Sequence, residues 1–136
     1  RAIQFETPIG AQPIEMTVVE PAVHNWFVHR DLARDRSVLE VIKDEGVYRI
    51  EEIDLEIGDH TWDWYTYEND DFTSPRGETL TDCSLRRENW FTCVKTRTVL
   101  TANSNNFFLW AELDAWEGDQ RIYSENWDYK IRRDHV

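Results

Sequence analysis

Three long alternating runs close this sequence, and the links between them are too short for anything but antiparallel pairing. Residues 89–102 alternate, a brief Asn-Ser-Asn-Asn turn at 103–106 intervenes, and residues 107–116 alternate again. Glu117-Gly118-Asp119 then turns the chain into a third run, residues 121–132. Tight turns join antiparallel neighbours, whereas parallel neighbours need a long crossover. The last third of the chain therefore predicts an antiparallel sheet.

At 136 residues the chain fits one domain. The net charge of −12 argues against nucleic acid or an anionic membrane as the main partner. The acidic residues are dispersed, as expected of solvated strand faces and turns. No apolar stretch approaches the ~20 residues of a membrane helix, and no signal peptide is visible. The chain opens on Arg1 instead of methionine, which reads as a piece of a longer protein. A cytoplasmic location is the expectation, with export left open by that start. Seven tryptophans, five tyrosines and six phenylalanines favour a pleated, aromatic-packed architecture.

Residues 1–13 carry Pro8 and Pro13 without a sustained period and read as a linker or edge-covering arm. Residues 14–136 read as a single domain. Residues 14–19 and 25–30 are candidate short strands on either side of Pro21. Residues 31–46 partly fit a helix ending at Gly46, but Val38, Val41 and Ile42 prefer a strand. A hairpin fits better, with strands 36–43 and 47–56 about an Asp44-Glu45-Gly46 turn. Gly58-Asp59 is a second predicted turn, into a strand 61–67, and a polar loop 68–77 precedes a strand 78–86. Arg87-Glu88-Asn89 is a further turn. The result is an all-β chain, a jelly-roll-like antiparallel β-sandwich of about nine strands.

No residue pattern supplies a catalytic nucleophile: no serine sits in a Gly-x-Ser-x-Gly elbow. His24 and His29 are five apart, so a strand sends them to opposite faces. His60, beside Asp59, is a general-base candidate, although a turn histidine explains it as well. His135 stands alone near the C-terminus. Glu68, Asp70 and Asp71, with Asn69, form an acidic loop that is a weak calcium candidate, since its spacing departs from an EF-hand. Cys83 and Cys93 flank Glu88 symmetrically, so they are a candidate cross-strand disulfide or else two small buried residues. No metal site and no cofactor follow from these patterns.

Aromatic residues form the main surface candidate. Phe108, Trp110 and Trp116 share a face with Glu112 and Asp114, opposite Phe107, Leu109, Ala111, Leu113 and Ala115. Trp62 and Trp64 share a face of an earlier strand. Such tryptophans beside carboxylates suit docking against a neighbouring domain or stacking on sugar rings.

Several segments also occur in a recurring order: Tyr48-Arg49-Ile50-Glu51-Glu52, Asp70-Asp71-Phe72-Thr73-Ser74-Pro75-Arg76-Gly77-Glu78 and Arg87-Glu88-Asn89-Trp90. Thr96-Arg97-Thr98, Leu113-Asp114-Ala115-Trp116-Glu117-Gly118-Asp119 and the terminal Ile131-Arg132-Arg133-Asp134-His135-Val136 complete the series. Over roughly residues 24–136 the chain resembles the C-terminal domain of bacterial serine hydrolases of the X-Pro dipeptidyl-peptidase and cocaine-esterase-like group. The resemblance implies a non-catalytic jelly-roll domain packed on an α/β-hydrolase domain that carries the catalytic triad. It implies that hydrolase domain as partner, with a homo-oligomer contact as a further expectation. A carbohydrate-binding module using the same aromatics is the alternative.

Overall fold

A computed structural model describes residue 7 and residues 9–134. His135 and most of the 1–13 arm lie outside the described residues. Among the described residues eight strands follow one another: β1 (Met16–Glu20), β2 (Val23–Asp31), β3 (Arg36–Ile50), β4 (Leu55–Glu68), β5 (Arg76–Arg87), β6 (Trp90–Ala102), β7 (Asn106–Glu117) and β8 (Gln120–Arg132). All pairings are antiparallel, and the order β3-β4-β5-β6-β7-β8 is an uninterrupted meander. On the far side of β3, β2 pairs with residues 36–44 and β1 with residues 47–50, so the two short strands lie end to end along one edge. β8 forms the other edge. The all-β antiparallel expectation holds, with eight strands in place of about nine. All eight join one continuous sheet, and the main strand contacts are between hydrogen-bonded neighbours.

Two predicted turns fall inside strands. The Asp44-Glu45-Gly46 hairpin does not exist; β3 runs through it as a bulge, because Asp44 faces His60 while Val47 faces Gly58. One extra residue on β3 is absorbed there. Gly46 adopts φ +70°, and its N–H donates to Asp44 Oδ1 at 2.7 Å. A side chain at Gly46 would meet the Glu20 carbonyl at 2.1 Å, so β1 closes over the bulge only because glycine is there. Gly58-Asp59 likewise lies within β4. The real reversal is the 3-10 turn Glu51–Ile53, ended by Asp54 in the left-handed region at φ +47°. Asp35, Asn69 and Glu88 take the same conformation at other reversals. Asp and Asn tolerate it better than other side chains, so the turns at Asp35, Asp54 and Asn69 end without glycine.

The register gives the sheet two unlike faces. One carries Leu39, Val41, Ile57, Tyr65, Leu85, Val94, Leu100, Leu109 and Leu113 among threonines 61, 79, 81, 92, 96 and 98. The other alternates charges with aromatic rings. Among the described residues Val41, 4% exposed, is the single apolar side chain that is buried. Its cross-strand partner Asp63 is 5% exposed, accepts from Thr79 Oγ1 at 2.7 Å and lies 3.6 Å from Lys43 Nζ. No described helix is long and apolar enough to cross a membrane.

Candidate functional site

All five aromatic candidates stand on the charged face. Trp62 and Trp64 alternate along β4, and Phe108, Trp110 and Trp116 along β7; the intervening registers through β5 and β6 put both sets on the same side. Each is half-buried, and each has a charged or imidazole neighbour. Trp62 stacks on His60, with ring centroids 6.1 Å apart and planes 16° apart. Trp64 Nε1 donates to Glu40 Oε1 at 3.1 Å. The Arg97 guanidinium lies 5.6 Å from the Trp110 ring centre, Lys95 Nζ 6.0 Å from Trp116, and Lys130 Nζ 6.0 Å from Phe108. Cations over ring faces are attracted by the ring quadrupole. The same geometry occupies the ring faces a sugar would use.

Ion pairs tie these cations to neighbouring strands. Glu78 is the hub: it accepts from Arg97 Nε at 2.6 Å, and Arg97 Nη2 and Arg76 Nη1 form ion pairs with it, each at 2.6 Å. Burial pushes the Glu78 carboxyl up, but the two guanidiniums outweigh it and hold the group below its ordinary value. Lys95 meets Asp82 at 3.0 Å, and that hydrogen bond raises its ammonium pKa. Arg49 donates to Glu56 at 2.5 Å, which raises the arginine further, and Arg86 reaches Glu56 at 3.7 Å while lying 4.5 Å from the Phe91 ring centre. The sequence places Glu78, Arg76 and Arg97 in separate segments, and only the register of β5 against β6 brings them together. Alternation alone marked each as sharing parity with its own strand's outward residues, with no signal linking them.

The histidines divide as alternation requires: His24 and His29 project to opposite faces of β2. His24 meets Glu45 at 3.1 Å and His29 meets Glu40 at 2.9 Å. Hydrogen bonds from His29, then Trp64, hold the Glu40 carboxyl below its ordinary value. The partner of His60 is not Asp59. Adjacent strand residues point to opposite faces, so Asp59 turns to Cys83, 3.6 Å away, while His60 Nδ1 meets Asp44 Oδ1 at 2.6 Å across β3–β4.

Asp44, His60 and Ser84 thus gather over Gly58: a side chain built there would meet Ser84 Oγ at 2.6 Å and His60 Nε2 at 3.4 Å. The trio has the residue types of a hydrolase triad, but Ser84 and His60 share no hydrogen bond. β4 and β5 are paired along both edges here, so neither strand offers free backbone N–H groups to an oxyanion. Cys93, the cross-strand neighbour of Ser84, is no better poised, since burial and then Asp82 push its thiol up. The arrangement supports a structural polar cluster.

Two further expectations are corrected. Cys83 pairs with Val94, and Cys93 with Ser84, so the cysteines occupy opposite faces and both are free thiols. The acidic loop is occupied by its own turn: Asp71 Oδ1 accepts from Thr73 N and Oγ1 at 2.8 and 2.7 Å, and Glu68 pairs with Arg36 at 3.3 Å. Among the described residues no three His, Cys, Asp or Glu side chains converge as metal ligands. The calcium candidate therefore has no ligand cage.

No protein-family model, curated protein or solved structure matches this chain.

Proposed function

We propose that this chain is a non-catalytic β-domain of a larger serine hydrolase of the peptidase or esterase type, docked on that protein's α/β-hydrolase domain. The observation that carries the docking is the uneven exposure of the two faces. Trp26 (71% exposed), Val28 (74%), Tyr65, Leu85, Leu100, Tyr129 and Ile131 all lie on the aliphatic face. Large contiguous apolar patches are uncommon on free-standing proteins and mark interaction surfaces. The α/β-hydrolase domain is the layer that would cover this face. The ordered segments that resemble the X-Pro dipeptidyl-peptidase and cocaine-esterase-like group supply the hydrolase part of the reading. Trp62, Trp64, Phe108, Trp110 and Trp116 then face away from that domain, toward a second copy. The cytoplasm, where Cys83 and Cys93 would stay reduced, suits this role.

The test is the size of the native gene product in source cells, by immunoblot combined with a serine-hydrolase active-site probe. A labelled band several times larger than 16.3 kDa is expected. An unlabelled band near the chain's own mass would sink the reading.

The grouping of five aromatics on one face favours carbohydrate binding as a second reading. It predicts tryptophan fluorescence changes with oligosaccharides, after displacement of Arg97 and Lys95 from their rings. Flat titrations across several polysaccharides would remove it.

A further inference from the structure

The aliphatic face is not uniformly flat. At the end of the sheet where the 32–35, 69–75 and 103–105 connections gather, it hollows into a recess of about 910 Å³. The recess exists because Gly77 contributes no side chain between its cross-strand neighbours Tyr65 and Leu100. Leu39 and Phe107 supply further apolar wall, and Phe72, 91% exposed, stands on the loop above it. This size and lining fall within the range of sites that enclose a sizeable apolar group.

The unpaired charge on the rim is negative. Asp70 and Asp71 border the recess, and among the described residues Asp70 has no hydrogen-bond or ion-pair partner. Hydrogen bonds from Thr73 keep Asp71 ionised by lowering its carboxyl pKa. The one cation beside them, Arg76, is committed to Glu78 at 2.6 Å. An apolar occupant without charge would cover Asp70 and strip its water with nothing in return.

We infer that the recess receives a segment of the covering layer that combines a large apolar side chain with a neighbouring lysine or arginine. The apolar group fills the space over Gly77, and the cation pairs with Asp70. The inference rests on the docking reading above and specifies the chemistry of its contact.

Hydroxyl-radical footprinting of the whole gene product against the 136-residue chain tests it. Tyr65, Phe72 and Leu100 should be labelled several-fold less in the whole product. In that product Asp70→Asn should lower Tm at low salt, Asp70→Glu should not, and the difference should fade near ~1 M salt, where screening is nearly complete. Protection without any effect of Asp70→Asn would mean an uncharged occupant and overturn the inference. Equal labelling in both forms would also overturn it, by showing the recess open. If such a product still reacts with the active-site probe, the accessory-domain reading stands and this inference alone fails. A product no larger than the chain would instead remove the reading.

Discussion

Cys83 and Cys93 project from opposite faces of the sheet although they sit symmetrically about Glu88. The β5–β6 turn is centred between Glu88 and Asn89, with Arg87 opposite Trp90, so Cys83 meets Val94 and Cys93 meets Ser84. Moving the centre of a hairpin by half a residue shifts its register by one, and that puts the facing side chains of the second strand on the other side. No disulfide bridges that separation.

Titration of the native chain with a thiol reagent should therefore count two free thiols, even after mild oxidation. Both should react slowly near neutral pH, because burial, with Asp59 beside Cys83 and Asp82 beside Cys93, raises both thiols. Cys83, the more exposed of the two, should react first. A mobility difference between reduced and unreduced monomer would contradict this arrangement.

Glu78 should make stability acid-sensitive. Its folded-state pKa lies below the ordinary value, so the protein binds this proton less readily than the unfolded chain does. The resulting stabilisation is full above the ordinary glutamate pKa of about 4.3 and is lost as pH falls through the lower, folded value. Glu78→Gln should flatten the acid limb of a stability–pH curve. Near neutral pH it should cost about 2 kcal/mol, since two hydrogen-bonded guanidiniums lose a charged acceptor. Urea unfolding midpoints across pH measure both effects.

Asp63→Ala should destabilise by about 1–2 kcal/mol, because it leaves the half-buried Thr79 hydroxyl without its acceptor. Thr79→Val removes the other partner and should cost about 1 kcal/mol. A double-mutant cycle by denaturant unfolding checks that the two losses are coupled.

Gly46→Ala should be more damaging than its size suggests. The left-handed backbone alone costs a β-carbon roughly 1–2 kcal/mol, and the added carbon meets the Glu20 and Pro21 backbone at 2.1–2.9 Å. The expected result is a Tm fall together with faster amide exchange in β1, the strand that the clash would push off β3. Unchanged exchange at residues 16–20 would refute the bulge geometry.

Residue alternation fixed much of this protein before folding was considered. The runs now seen as β6, β7 and β8 were legible because their alternation is clean and their turns short. The separation of Trp110 and Trp116 from Leu109 and Leu113 followed from the same period of two. Where alternation was interrupted, local pattern misled: Gly46 and Gly58 read as turns, yet one sits in a bulge and the other inside β4. Their neighbours on β1, β3, β4 and β5 keep the strand running past them, and such partners are distant in sequence. The same holds for Glu78 with Arg97, Asp44 with His60, and the recess over Gly77. The period of a strand determines which side chains share its own face, but only the pairing register determines whose side chains stand beside them.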